Sequence, residues 1–402
     1  MANPLPRLRG DRAFIKYWPA PKDSTQVRVA VKDNIDMKGV VTSAGSEYLA
    51  KTNPPAEKDA ACLGPVRARG VHIVGRTNLN ELALGASGMN GYYGTPKNRL
   101  GDSKRLMPGG SSSGSAVAVA TGKADVAIST DTAGSIRTPA ACCGVFGLKT
   151  TFGLVSTKGV YPISPRNLDT VGPIAKDIPN LVEGMDLLTP GFTGKYMAAM
   201  AAEPSGRSIT VGRLYVEGTD AKIDKAIDDA LAAAHIKVVR LPQSFAKAWD
   251  DAQKNGNTIA VADGYVTDKE LLKVRGVTAT TKAAILLGEL KYDSADYRQA
   301  LASKKVWQRQ LNRVFQRVDF IALPTLRHHP LKIPFFSRFV LFEAQALALQ
   351  NTVPVNYAGN PALAVPVPSE DEKVPVTSLQ LVGPKLSEAK LLNAGRILAS
   401  KP

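Results

Sequence analysis

Two clusters of glycine and serine, separated by a packed apolar segment, constrain this chain more than any other feature. Residues 108–137 contain Gly109-Gly110-Ser111-Ser112-Ser113-Gly114-Ser115 and then Thr132-Ala133-Gly134-Ser135. Between them, Ala116 to Ile128 is small and largely apolar. Small residues let backbone N–H groups come close to a ligand, and a packed segment between two such clusters holds them in register. A flexible linker does not account for the pattern, because the apolar run wants burial. A phosphate cradle does not either: there is no GxxxxGK[ST] and no GxGxxG, and Gly122-Lys123 is followed by Ala124. Nucleophilic catalysis by serine is what remains.

Gly110-Ser111-Ser112-Ser113-Gly114 matches GxSxG, but a nucleophile elbow follows a hydrophobic strand. The preceding Gly101-Asp102-Ser103-Lys104-Arg105-Leu106-Met107-Pro108 is not one. A serine nucleophile also needs a base, and the chain has only four histidines, His72, His235, His328 and His329, none set in a motif. His72 lies in an apolar run and reads as a core residue. A lysine can take the role instead, because burial disfavours the ammonium form and brings the pKa towards neutrality. Lys32 stands where a strand over residues 27–31 ends, within Val31-Lys32-Asp33-Asn34. Asp33, next to it, is expected to point to the opposite face.

These residues, taken together, resemble the amidase signature family. The likeness runs through Val31-Lys32-Asp33-Asn34 and Gly109–Ser115 to its strongest part, Asp131-Thr132-Ala133-Gly134-Ser135-Ile136-Arg137 with Pro139-Ala140 and Cys143–Lys149. It continues in Leu168-Asp169-Thr170-Val171-Gly172-Pro173-Ile174, in Asp319–Thr325 and in Gly359–Pro366. The resemblance implies a Ser–cis-Ser–Lys triad in which Ser135 is the nucleophile, Ser111 the bridging serine and Lys32 the base. It also implies a cis peptide between Gly110 and Ser111. Backbone N–H groups around Thr132, Ala133, Gly134 and Ser135 would form the oxyanion hole. Ala133 stands where many members have glycine, which is harmless provided the position does not require positive φ. Asp131 and Arg137 are expected to organise the loop, and Ser112 to hydrogen-bond Lys32.

The implied activity is hydrolysis of a small-molecule amide through an acyl-enzyme, with no metal and no cofactor. The span of 79 residues from Lys32 to Ser111 and the short middle region look closer to the compact indole-3-acetamide amidases. The amide-transfer subunit of a glutamyl-tRNA amidotransferase, which needs partner subunits, is the alternative, beside hydrolysis of a related ester, anilide or carbamate. Residues facing the acyl group are expected from Ala83–Ser87 and Tyr161–Asn167, with Arg166 in solvent.

The implied fold is α/β, one mixed, twisted β-sheet flanked by α-helices on both faces. The reading is of one domain over 1–402. Residues 27–190 form its catalytic half, and 191–402 supply a helical insertion and the strands that complete the sheet. Short β-rich runs (Val71–Gly75, Val126–Thr130, Val145–Leu148) alternate with helical stretches. Ile209–Leu214, a helix over Asp220–Ala234 and Ile236–Leu241 make a βαβ-like unit, joined to the first half by a small-residue connection over Ala198–Arg207. Phe245–Arg317 reads as mostly helical, with Trp307, Leu311, Val314 and Phe315 as a core face. Strands at Phe320–Leu323, Ala362–Val367 and Ser378–Val382 return to the sheet, and a helix over Leu386–Ala399 closes the chain.

Composition narrows the setting. The apolar content of 44% supplies a core, no run of 18 apolar residues suggests a membrane span, and Met1–Arg7 lacks a signal-peptide core. Cys62, Cys142 and Cys143 make no disulfide framework and no metal-ligand spacing. A cytoplasmic location is therefore expected, with no membrane partner and room for a homodimer. The formal charge of +16 is spread along the chain without aromatic–basic interleaving, so a nucleic-acid partner is not indicated.

Overall fold

The computed structural model describes residues 10–21, 23–101, 105–334 and 339–400. Met1–Arg7 and Asp102–Lys104 therefore lie outside the described residues. The strands, in chain order, are β1 (Phe14–Tyr17), β2 (Arg28–Lys32), β3 (His72–Thr77), β4 (Val126–Asp131), β5 (Phe146–Lys149) and β6 (Thr170–Ala175). They continue with β7 (Thr210–Arg213), β8 (Lys237–Arg240), β9 (Phe320–Pro324), β10 (Ala362–Pro368) and β11 (Val376–Val382). All eleven form one sheet in the order β1-β3-β2-β4-β6-β5-β10-β11-β9-β7-β8.

The sheet is mixed, as expected. β2 runs parallel to both β3 and β4, and β7 runs parallel to β8 and β9, while the six remaining pairings are antiparallel. Both faces are covered. On β9, Phe320 and Ala322 join the core formed with Ile178–Leu188, Ala221–Ala233 and Glu388–Ala399, whereas Ile321 and Leu323 pack with Trp249, Trp307 and Leu311 on the other side. Successive residues of a strand point to opposite faces, so these alternate memberships place helices on both sides of the sheet.

Two strands escape the sequence pattern. β1 is four residues long with three of them partly exposed, too short to show alternation. β6 reads Thr-Val-Gly-Pro-Ile-Ala, and its Gly172 and Pro173 look like breakers in sequence. Gly172 is required there, because a Cβ would lie 2.2 Å from the Leu148 carbonyl oxygen on the neighbouring strand. The connection expected over Ala198–Arg207 is in part helix, since Phe192–Ala202 is helical and buries Phe192, Tyr196 and Ala199. Its alanine-rich sequence favours helix over loop. The helical stretch after Phe245 resolves into Gln243–Asp268, Ala279–Lys291 and Ala295–Phe315, with Trp307 and Leu311 buried in the core as expected.

What the architecture gives the site is position. β2 and β4 are parallel neighbours, with Val29, Ala30 and Val31 facing Val126, Ala127 and Ile128, so their carboxyl ends open side by side. The helix Ser113–Ala120 runs back over these strands and is buried along nearly its whole length. Ligand sites in α/β folds collect at the carboxyl ends of parallel strands. Lys32 is the last residue of β2 and Asp131 the last of β4.

Candidate active site

Lys32 has no exposed surface, and its Nζ lies 2.7 Å from Ser111 Oγ and 2.9 Å from Thr130 Oγ1. Burial pulls its pKa down to about 7, against an opposing pull from the more distant carboxylates of Asp131 and Asp169. Asp33 takes no part in this contact. Its carboxylate pairs with Arg76 at 2.7 Å and accepts from the Ser43 hydroxyl and N–H, which keeps that charge turned to another set of partners. As an ammonium, Lys32 donates to both hydroxyls. As a neutral amine it accepts the Ser111 proton through its lone pair while still donating to Thr130.

The peptide between Gly110 and Ser111 is cis. Gly110 tolerates no side chain, because a Cβ would meet Asn80 Oδ1 at 1.9 Å. Ser111 is followed by Ser112, whose N–H donates to the Ser135 carbonyl at 3.2 Å, so the two serine clusters expected to meet are in hydrogen-bonded contact. Ser112 does not bond Lys32, contrary to expectation. Its hydroxyl donates to the Thr130 carbonyl at 3.4 Å, and Thr130 Oγ1 occupies the place beside the amine. The Asn34 amide also donates to Thr130 Oγ1, at 3.1 Å.

The loop that carries Ser135 is built around Asp131. Its Oδ1 accepts from Gly134 N (2.8 Å), Arg137 Nη2 (2.9 Å) and Asn356 Nδ2 (2.8 Å), and its Oδ2 from Ile136 N and Arg137 Nε, both at 3.1 Å. Arg137 is fully buried and donates onward to the Thr352 carbonyl, Gln380 Oε1 and Asn356 Oδ1. The guanidinium holds the Asp131 carboxyl well below the usual carboxylate range. Both residues thus sit where a loop organiser would.

The same geometry divides the expected oxyanion donors into two sets. The Gly134 N–H donates to Asp131 Oδ1 at 2.8 Å. The N–H groups of Thr132, Ala133 and Ser135 have no acceptor among the described residues. Ala133 is not among the residues with positive φ, so alanine fits where many members have glycine. Gly134, with φ of +129°, is the position that needs glycine, because a Cβ would lie 2.1 Å from Thr352 Oγ1.

Ser135 opens into a cavity of about 260 Å³ with Thr132 and Ala133. Ala83, Leu84, Gly85 and Ile163 line it, as the two expected segments would, and Arg166 lies exposed outside it. The remaining wall comes from the helical layer, including Ala260, Val261, Gly264, Ile285, Leu287 and Leu347. None of the four histidines lines it. His72, for example, sits on β3 with Nε2 3.3 Å from the Trp18 carbonyl oxygen.

Two carboxylates that the sequence did not single out fix this cavity. Leu82 and Ala83 both have positive φ, +55° and +59°, each costing about 1–2 kcal/mol in a non-glycine residue. Glu81 ties down this turn, its Oε2 accepting from Thr278 N (2.9 Å), Thr278 Oγ1 (2.7 Å) and Thr281 Oγ1 (2.8 Å) at the start of the helix Ala279–Lys291. Glu343, on the helix Phe339–Ala348, accepts from the Ser87 N–H (3.0 Å), the Ser87 hydroxyl (2.5 Å) and the Ala86 N–H. Thr130 was within reach of sequence reasoning, since it precedes Asp131 on the strand beside Lys32. Glu343 carried no local signal, because its partners lie more than 250 residues away.

Comparison with known proteins agrees with this geometry. A family model described as Amidase matches residues 25–392. The chain belongs to the amidase family. The A subunit of the glutamyl-tRNA(Gln) amidotransferase of Natronomonas pharaonis is 34% identical, with the alignment covering 92% of this chain and 95% of the relative. That of Archaeoglobus fulgidus is 30% identical over 92% of this chain and 85% of the relative. Among solved structures, the corresponding amidotransferase chain from Thermotoga maritima superposes with a TM-score of 0.76 at 25% identity, covering 96% of this chain and 86% of that one. A vestigial complex bearing on the origins of an s-triazine catabolic enzyme gives 0.80 at 26% identity over 92% and 83%. These findings reverse the expected ranking, favouring the amide-transfer subunit over the compact indole-3-acetamide amidases. Among the described residues no helix is long and apolar enough to cross a membrane.

If Lys32 must be neutral to accept a proton, kcat/KM falls as pH drops below about 7, roughly tenfold per unit. Thr130→Val removes an acceptor that favours the ammonium form, so it lowers turnover and moves this limb to lower pH; a limb that stays in place would show that Thr130 does not hold the amine. Arg137→Met leaves the Asp131 carboxylate buried and unpaired, and denaturant titration should show a loss of about 3–5 kcal/mol. Glu81→Gln weakens the tie between helix and turn, and steady-state kinetics should show KM rising more than kcat falls.

Proposed function

We propose that this amidase-family enzyme cleaves a carboxamide through an acyl-Ser135 intermediate, as the amide-cleaving subunit of a glutamyl-tRNA amidotransferase. The enclosed contact of Lys32 Nζ with Ser111 Oγ at 2.7 Å supports the chemistry. The alignment along 92% of the chain with the amidotransferase relatives supports the setting. In the first step the Ser135 proton passes to Ser111 as the Ser111 proton passes to neutral Lys32, and Ser135 Oγ bonds to the amide carbon. The oxyanion accepts hydrogen bonds from the N–H groups of Thr132, Ala133 and Ser135; each such donor is worth about 10²–10³ in rate. Collapse breaks the carbon–nitrogen bond, and the departing amine takes the proton back through Ser111. Water, activated along the same relay, then releases the acid and restores Ser135. In an amide-transfer assembly the freed ammonia passes to a partner subunit. A cytoplasmic location beside charged tRNA goes with that setting.

A second reading, hydrolysis of a free apolar amide, is favoured by the cavity wall of Ala260, Val261, Ile285, Leu287 and Leu347. Ammonia release distinguishes the two. Release from glutamine only in the presence of partner subunits supports the first, whereas turnover of apolar primary amides, anilides or esters by the isolated chain supports the second.

The relay has its own test. An activated acyl or sulfonyl reagent should label Ser135, mapped by mass spectrometry; label on Ser112 instead would restore the GxSxG reading. Ser111→Ala and Lys32→Ala should each lower turnover severely, and the double variant should cost little more than the worse single one. Additive losses would break the proposed proton path.

A further inference from the structure

The positive charge that is scattered in sequence is partly gathered by the fold. Lys305, Arg309, Arg313 and Arg317 recur every fourth residue along the helix Ala295–Phe315 and into the turn after it. All four are exposed, and their side chains have no ion pair or hydrogen bond among the described residues. Four residues of helix rise about 6 Å, and like charges at this spacing oppose one another by about 0.2–0.5 kcal/mol per pair. The helix dipole favours cations in the last turn only. It accounts for Arg313, and for Arg317 just beyond, but not for Lys305 and Arg309.

The C-terminal end of the row borders a cleft of about 530 Å³ between β8 and this helix, with Arg313 and Arg317 on one side and Arg240 on the other. A second hollow continues past Arg240 and Arg317 to Tyr215, over whose ring the Arg240 guanidinium sits at 4.8 Å. Among the described residues no carboxylate lines either one. Of the nearby acids, Asp224 and Asp228 pair with Arg213 and Asp319 accepts from the Thr210 N–H, while Asp251 lines a neighbouring hollow with Val306 and Gln310. β8 is an edge strand, and cations such as Lys237 and Arg240 protect an edge from pairing. That explains the strand, not the row on the helix facing it.

We propose that this surface, from Lys305 to Arg240, binds the phosphodiester backbone of an RNA strand. Guanidinium groups match phosphate oxygens in a bidentate fork, and a row of evenly spaced cations suits a polymer of evenly spaced anions. The identification of the polyanion as RNA rests on the amide-transfer reading, in which the assembly works on a charged tRNA. The site itself rests on the residues above and lies apart from the lining of the Ser135 cavity.

Fluorescence anisotropy of the full chain with labelled tRNA and with labelled poly-uridine, between about 50 and 200 mM salt, tests the assignment. The wild type should bind both, with affinity falling steeply as salt rises. R309Q/R313Q/R317Q should bind about tenfold or more weakly at the low-salt end, with a salt slope shallower by about two. R240Q should give a smaller loss in the same direction, and K222Q/K225Q, on another helix, should bind as wild type. Ammonia release from a small amide should be the same in all of them. The proposal is overturned if the wild type ignores RNA at low salt, or if the triple variant binds like the wild type. It is also overturned if poly-glutamate displaces the RNA at equal charge, which would assign the face to an acidic protein. RNA binding that depends on these arginines, in a chain that releases no ammonia from glutamine with any partner subunit, would uphold this surface and refute the amide-transfer reading.

Discussion

An amine removed from water and given hydroxyl partners in place of carboxylates is the constraint from which the rest of the site follows. Left in solvent, Lys32 would hold its proton at neutral pH and could not accept another. Ion-paired with Asp33, one residue away, it would hold that proton more tightly still. The structure avoids both. β2 carries the side chain into a fully enclosed position, and Arg76 with Ser43 occupies the Asp33 carboxylate. The cost of dehydrating a cation is thereby expressed as a lowered pKa, and Ser111 and Thr130 fix where the lone pair points.

A second buried charge is handled in the opposite way. Asp131 keeps its negative charge because Arg137, Asn356 and two backbone N–H groups satisfy both oxygens. This arrangement determines the course of the main chain from β4 to the helix Arg137–Cys143. It also decides which N–H groups are left over: once Asp131 has taken those of Gly134 and Ile136, the unclaimed donors near Ser135 are Thr132, Ala133 and Ser135 itself. Loop shape and donor placement therefore have one origin.

The candidate site was legible because it lies in local motifs. Lys32, Ser111 and Ser135 each sit in a short stretch whose glycines, serines and flanking strand residues together suit one kind of catalysis, and the sheet strands from β2 to β11 mostly follow runs of β-branched residues. What could not be read depended on residues far apart in sequence. Ser112 and Thr130 are both hydroxyls near Lys32, and only the path of β4 decides which one meets the amine. Gly134 has an N–H like its neighbours, and only the rotamer of Asp131 removes it from the set of free donors. β6 hid behind Gly172 and Pro173, which mark breaks in isolation, although Gly172 here allows close strand packing. The cavity wall comes from helices whose apolar faces look, in sequence, like ordinary core.

The division between these two kinds of information is also a division of labour along the chain. The proposed proton transfer and oxyanion contacts draw on residues 32–135, whereas much of the cavity wall comes from residues 257–350, tied to the first part of the chain through Glu81 and Glu343 and also through Asp263 and Asp268. The helical layer can change its apolar side chains without altering the Lys32–Ser111 contact, to which it contributes no residue. A scaffold so arranged keeps one bond-breaking apparatus while the shape of what it accepts drifts, as the interchangeable jaws of a vice leave its screw untouched.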